Sequence, residues 1–383
     1  MEGGHDRILT THGGSLPRPP ELLDMLVARA ERRGVPEERF AAAVRDAVGD
    51  AVRRQVAAGI DVVSDGEMAK TGFASYMAER MTGFGGESRM IPLADVAAFP
   101  DVAPRTTPSG PSTRALRPAN DGPITYVGPD ELRADIANLQ AALSGVAVVG
   151  AFLPAASPGS IVQSSPTHYY ASRREYLYAL ADALRTEYRA ITDAGLTLQV
   201  DCPDLAMERH VEFASAPLEE FRGVIAEHVE ALNHGLEGID PDQVRVHICW
   251  GNYAGPHHLD VDLRDILDVV LRVRANGVSV EGANPRHEHE WQVFEDTPLP
   301  EGKVLIPGVI DTCTNYVEHP EVVAQRIVRY ARVVGRERVV AGTDCGFSTF
   351  AGSNAVVPDI VYAKLGSLAE GARLASRELW GSG

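Results

Sequence analysis

Short runs of β-branched and apolar residues alternate along this chain with longer stretches whose apolar positions recur every three or four residues. That is how parallel strands joined by helical crossovers are written. Eight such units can be read. The predicted strands are Ile8 to His12, Ile60 to Asp65, Val146 to Phe152, Leu196 to Asp201, Val244 to Cys249, Gly277 to Glu281, Val304 to Ile310 and Arg338 to Thr343. Helical periodicity covers about 37–58, 130–143, 169–194, 217–236, 263–274, 286–294, 320–334 and 358–376. Gly59, Gly195, Gly277 and Gly335 each follow a helical pattern, where a left-handed cap is expected.

Eight β-α units with no GxGxxG loop after any strand predict an α/β fold of the closed (β/α)8 TIM-barrel type rather than an open doubly wound sheet. One stretch, about 85–128, is rich in Pro, Gly, Ser and Thr and shows no period. It is expected to be an inserted irregular loop between the second and third units, placed to act as a lid or a contact between copies in a homo-oligomer. With no other boundary, residues 1–383 read as a single domain.

Composition narrows the partners. Hydrophobic residues make up 44% and charged residues 23%, enough apolar content for a large core without disulfides. The net charge of −17 repels phosphate backbones and anionic lipid heads, so neither nucleic acid nor a membrane is an expected partner. The first twenty residues hold no apolar run of signal-peptide length, and no run of about 18 apolar residues follows, which makes a cytoplasmic protein the expectation. The four cysteines, Cys202, Cys249, Cys313 and Cys345, are too few and too scattered for a secreted framework and point to metal or thiol chemistry.

In a barrel the chemistry sits where the strands end. The fifth strand ends in His247 and Cys249, two apart and therefore on one side; the sixth ends in Glu281; the eighth runs into Cys345. An imidazole, two thiols and a carboxylate on one rim form a set that favours Zn2+. Two thiolates and a carboxylate overbalance the charge of the ion, which makes it a poor activator of water but leaves a further bound thiolate nucleophilic. Attack of a substrate thiol on an alkyl carbon is the chemistry such a set suits. Other strand ends offer His12 and Ser15, Asp65 and Glu67, and Asp201. Glu67 and Asp201 can hold an ammonium, and Ser15 with nearby amides a carboxylate.

These residues fall in the motifs Thr11-His12-Gly13-Gly14-Ser15-Leu16-Pro17-Arg18, Ser64-Asp65-Gly66-Glu67-Met68, Asp201-Cys202-Pro203-Asp204-Leu205-Ala206-Met207, His247-Ile248-Cys249-Trp250-Gly251-Asn252-Tyr253, Ala283-Asn284-Pro285-Arg286-His287-Glu288-His289-Glu290-Trp291 and Gly342-Thr343-Asp344-Cys345-Gly346-Phe347. Together they resemble the catalytic carboxy-terminal barrel of the cobalamin-independent methionine synthase family over nearly the whole chain. Within that family they are most similar to the single-barrel branch that includes epoxyalkane:coenzyme M transferases. The resemblance implies that His247, Cys249, Glu281 and Cys345 ligate zinc, with Glu281 yielding its place to the incoming thiol. It also implies that Ser15, Glu67 and Asp201 hold the amino acid part of homocysteine.

Departures from the family pattern bear on the donor. Cys202 stands where the synthases have Glu, Cys313 stands where they place a proton-donating His, and Phe152 to Ala156 lacks the Trp that stacks on folate. A methylfolate donor needs a proton on its leaving nitrogen. Candidates for an acid are Tyr253, His257, His258, His287 and Cys313. If the thiol carries a sulfonate, Arg18, Lys70 or Arg286 is expected beside it. The leading expectation is a zinc-dependent alkyltransferase in which a substrate thiol attacks an alkyl carbon, as in epoxide opening by coenzyme M. The alternative is methyl transfer to homocysteine from a simple donor or a corrinoid protein. A reading of another class is a non-catalytic zinc scaffold or thiol sensor.

Overall fold

A computed structural model describes residues 3–88, 92–106, 112–113 and 118–381. Eight parallel strands carry the α/β fold: β1 (Leu9–Thr10), β2 (Val62–Ser64), β3 (Gly150–Ala156), β4 (Thr197–Asp201), β5 (Val244–His247), β6 (Gly277–Val280), β7 (Val304–Pro307) and β8 (Val340–Ala341). Strands β2 to β7 pair in chain order, and β1 pairs with β8. Bridges Leu305↔Val339 and Gly308↔Gly342 carry the curled sheet from β7 on to β8. Between β1 and β2 side chains take over: Thr10 N and Oγ1 both reach Asp61 Oδ2 at 2.9 Å, and Thr11 Oγ1 donates to Val62 O at 3.1 Å.

Helices cover the outside of this sheet. The best defined, Arg173–Asp193, starts where Ser172 accepts a hydrogen bond from Glu175 N, which explains why it begins four residues later than its periodicity predicts. Its inward stripe buries Tyr176, Leu177, Leu180, Leu184, Tyr188 and Ile191, each leucine contributing about 2 kcal/mol of apolar burial. No helix of the described residues is long and apolar enough to cross a membrane.

Several boundaries differ from expectation for identifiable reasons. Strand β3 starts four residues after the predicted Val146, because the helix Pro129–Leu143 ends in a turn at Ser144 and Gly145 and the apolar run 146–149 after it is irregular, with Val149 exposed. Pro154 then lies inside the strand rather than ending it. The predicted helix over 286–294 is a turn followed by the short pieces Glu290–Gln292 and Val293–Asp296, since Asn284 Oδ1 accepts from both Arg286 N and His287 N and holds the chain in a turn. Gly59, Gly195 and Gly335 have positive φ, as caps, whereas Gly277 does not: it opens β6, where an added Cβ would stand 2.5 Å from Arg245 Cβ. Helices Pro20–Ala30 and Pro158–Ser164 were not anticipated.

Residues 85–128 are not irregular throughout. Phe84–Glu87 and Pro118–Asn120 form an antiparallel pair, and Ala94–Ala97 and Ala103–Thr106 are short helical turns. Residues 89–91, 107–111 and 114–117 of that stretch lie outside the described residues.

Candidate metal centre and cavity

His247 is the last residue of β5, in register with Asp201 on β4 and Ser279 on β6. Its Nδ1 meets Ser279 Oγ at 3.1 Å, while its buried Nε2 has no hydrogen-bond partner. Burial, with the charge of Arg245 behind it, pushes the pKa down to about 3, so the ring is neutral, as a metal ligand must be. The ligating atoms of His247, Cys249 and Cys345 all lie within 4.8 Å of one another, and the two sulfurs are 3.5 Å apart. The contact with Cys345, and then burial, hold the Cys249 thiol well above its ordinary range. An orphaned imidazole nitrogen facing two buried thiols is a donor set that fits zinc.

Glu281, just past β6, stands outside this cluster of three. Its Oε1 accepts from Trp250 N at 2.8 Å and its Oε2 from Asn284 Nδ2 at 2.7 Å, although the carboxyl is near enough to act on the Cys249 thiol. Asp344, next to Cys345, anchors the same loop by accepting from the backbone N–H groups of Gly282, Ala283 and Asn284 at 2.8–2.9 Å. Asp344 and Ser279 are supports that the motifs did not single out; Ser279 was readable as the residue two before Glu281, on the same face of its strand.

A cavity of about 1060 Å³ is lined by all three donors together with Ser15, Glu67, Asp201, Asn252 and Tyr253. Glu67 takes φ +57°, a left-handed conformation that costs energy in a non-glycine residue and is found where structure serves function. It is held there by Asp65 Oδ1, which accepts from Glu67 N at 2.9 Å, and by Arg18 Nη2, which donates to Glu67 O at 2.8 Å. Its buried Oε2 has no partner. Asp201 Oδ1 accepts from Gln199 Nε2 at 2.7 Å. Burial raises both carboxyls, and Glu67 raises Asp201 further, only partly offset by the nearby charges of Lys70 on both and of Arg18 on Glu67.

Other predicted site residues do not line the cavity. His12 is spent on Gln55 Oε1 at 2.7 Å and Gly14 N at 3.2 Å. The Arg18 guanidinium donates to the carbonyls of Ser348, Glu67 and Lys70, and Lys70 Nζ to Pro154 O. Arg286 lies outside, 3.3 Å from Asp260 O and 3.6 Å from Asp262. His287 packs on the Trp250 ring between Asp260 Oδ2 at 3.0 Å and Glu290 Oε2 at 2.7 Å; burial lowers its pKa, but these two carboxylates outweigh that and push it up to about 10. Cys313 sits one side chain back, its Sγ donating to Asn252 Oδ1 at 3.2 Å. His257 is tied to Asp260 Oδ2 at 2.9 Å and to Tyr253 O at 2.9 Å, and His258 is exposed against Phe99. Of the acid candidates Tyr253 alone lines the cavity, and its hydroxyl donates to Asp95 Oδ2 at 2.7 Å.

Residues 8–91 and 128–361 match the family model described as the cobalamin-independent synthase, catalytic domain. The chain belongs to this family. Membership makes it an enzyme, a methyltransferase acting on a thiol. A methionine synthase of Thermococcus kodakarensis is 28% identical to this synthase-family chain over 370 residues, covering 96% of it and 93% of the relative. That of Sulfolobus acidocaldarius is 26% identical over 346 residues, covering 88% and 85%. Among solved structures, a B12-independent methionine synthase from Shewanella sp. W3-18-1 in complex with selenomethionine superposes with a TM-score of 0.73 at 20% identity, over 97% of this chain and 99% of that one. A putative B12-independent methionine synthase from Listeria monocytogenes gives 0.64 at 15% identity, over 98% and 99%. These two likenesses establish the shared fold. The stretch between the two matched parts contributes Leu93, Val96, Ala97, Pro100 and Ala103 to the cavity wall.

Proposed function

We propose that this protein transfers a methyl group to the sulfur of homocysteine, at the rim of a (β/α)8 barrel, with zinc as cofactor. His247, Cys249 and Cys345 would hold the ion, with Glu281 the nearby fourth donor. When bound, zinc lowers the pKa of the substrate thiol, so that its sulfur is nucleophilic at neutral pH. Glu67 and Asp201 bind the substrate ammonium, and Ser15 with the Gly13–Ser15 backbone lies at the carboxylate end. The apolar wall keeps water from the reacting carbon.

The observation that carries this reading is the sign of the charge beside the donors. Glu67 and Asp201 share the cavity with the two thiols, and among the described lining residues the cation is Arg173, already paired with Glu208 and Glu212. A sulfonate would meet two carboxylates there. Of the cations expected to receive it, Arg18 and Lys70 lie near enough to act on Glu67 but spend their N–H groups on backbone carbonyls, and Arg286 does not line the cavity. Methyl transfer to an amino acid thiol is therefore favoured over epoxide opening by coenzyme M, and the methionine synthases among the relatives support the same choice. Since the Tyr253 proton is committed to Asp95, a donor whose leaving group departs without a proton, such as a methylcorrinoid, suits the cavity better than methylfolate.

Calorimetry on the zinc-loaded protein tests the reading. L-homocysteine is expected to bind at least about tenfold more tightly than 2-mercaptoethanesulfonate, a difference of about 1.4 kcal/mol. X-ray absorption should gain a sulfur scatterer on adding L-homocysteine, and methionine should form with methylcobalamin as the methyl source. Equal or tighter binding of the sulfonate would overturn the assignment.

A further inference from the structure

Arg245 is buried to 1% exposure inside the curled sheet, and its guanidinium meets neutral acceptors alone. Nε donates to Gln199 Oε1 at 2.8 Å, Nη1 to Thr11 Oγ1 at 2.9 Å and Nη2 to His12 O at 2.9 Å, and the plane lies 3.5 Å from the centre of the Phe152 ring. Among the described residues no carboxylate lies within ion-pair distance of it. Such burial of a charge is costly and asks for a purpose. Gly277 is part of the arrangement, since an added Cβ there would collide with Arg245.

What the guanidinium does is orient its neighbours. Gln199 Oε1 is fixed toward Arg245, so Nε2 must face the other way, where it donates to Asp201 Oδ1 at 2.7 Å and to Gly13 O at 2.8 Å. A flipped amide would set oxygen against the carboxylate and N–H against the guanidinium, so this polarity is held from below. The bonds to Thr11 and His12 fix the backbone that leads into Gly13 and Ser15, both of which line the cavity.

We propose that Arg245 is a positioning residue for the amino acid end of the substrate: through Gln199 it orients the Asp201 carboxylate, and through Thr11 and His12 it sets the Gly13–Ser15 loop. The enzyme thereby selects thiols that carry an α-amino acid. This rests on the homocysteine reading above and adds to it the origin of the selectivity.

The test compares L-homocysteine with its des-amino analogue, 4-mercaptobutyrate, on zinc-loaded wild type, Arg245→Met and Gln199→Leu. A hydrogen bond to a charged group supports an expected loss of about 10- to 100-fold in the preference for L-homocysteine in each variant. Zinc content should stay at the wild-type level, affinity for 4-mercaptobutyrate, which keeps the carboxylate that the Gly13–Ser15 loop faces, should fall by less than affinity for L-homocysteine, and the loss should fall on KM rather than kcat. Arg245→Lys should not restore the preference, because one ammonium cannot reproduce the fork that serves three acceptors. If Arg245→Met does not fold, Gln199→Leu reports on the same relay. Wild-type preference retained in the variants overturns the positioning role alone, whereas a wild type with no preference overturns the homocysteine reading and this inference with it.

Discussion

The two sides of the cavity are built on different principles. On the acceptor side His247 and Asp201 are placed by ladder register and by the supporting bonds of Ser279 and Gln199, while Cys249, Cys345 and Glu67 are buried in the loops just past β5, β8 and β2. On the roof side Leu93, Val96, Ala97, Pro100 and Ala103 come from short turns in the stretch that the family model leaves unmatched. A rigid sheet gives sub-ångström placement of a few donors, which thiol activation needs. Loop-borne apolar residues give shape and dryness, which can change without disturbing the donors. In the reading proposed here the acceptor chemistry rests on the sheet and the choice of donor on the roof.

The largest effect is expected from the donors themselves. Cys345→Ser or Cys249→Ser should remove bound zinc and lower methionine formation by about 10³-fold or more, while far-UV circular dichroism stays that of wild type, because the hydrophobic core does not depend on the ion. Metal analysis beside the activity assay checks it. Unfolding of both variants would show a structural site instead and erase the contrast between the two sides.

Next in size, Asp201→Asn should raise KM for L-homocysteine about 10- to 100-fold with zinc retained, since the Asn amide replaces half of the proposed ammonium site by a donor. Donor-side kinetics, measured with methylcobalamin at saturating homocysteine, should not follow. A matched rise in the donor KM would mean that the two sides are not separable.

How much of this was readable in advance follows the same division. Period 2 put His247 and Cys249 on one side, and their place on one rim joined Glu281 and Cys345 to them; three of these four lie together in the structure and Glu281 stands just outside. What a side chain is already bonded to is not written in a motif. Arg18, Lys70 and Arg286 read as anion sites, yet two are consumed by backbone carbonyls and the third lies at the surface. Arg245 sat unnoticed two residues before His247, its role depending on neighbours 46 and 234 residues away. Asp95, fully buried, lay in a stretch without period, where no pattern distinguishes an anchored carboxylate from a solvated one.

A connection between the two sides runs through Asp260. It accepts from His257 and His287, and His257 packs against Tyr253, which holds Asp95 in the roof. His287 has a folded-state pKa of about 10 against an ordinary 6.5. Its contribution to stability is therefore whole below about pH 6.5 and is lost as the pH rises toward about 10, because the unfolded chain releases the proton first. His287→Gln should cost on the order of 2 kcal/mol at pH 7 and flatten the fall in melting temperature between pH 7 and pH 10. An unchanged slope would mean that the ring is neutral at pH 7.

The smallest effect separates roof from floor most directly. Asp95 Oδ2 accepts from Tyr253 O–H at 2.7 Å and from His257 N at 3.0 Å, and these bonds tie the turn carrying Leu93, Val96 and Ala97 to the loop that follows β5. Asp95→Asn keeps one carbonyl oxygen of the same size but loses the charge, weakening two charge-assisted bonds by about 1 kcal/mol in total. The roof then spends more time displaced, and the donor is held less well against the thiol. KM for methylcobalamin should rise about fivefold, in proportion to that energy, while calorimetric affinity for L-homocysteine and zinc content stay at wild-type values. Because no donor of the acceptor side touches Asp95, a parallel loss of homocysteine affinity would show that the roof sets the geometry of the floor, and the division drawn here between rigid chemistry and adjustable shape would fail.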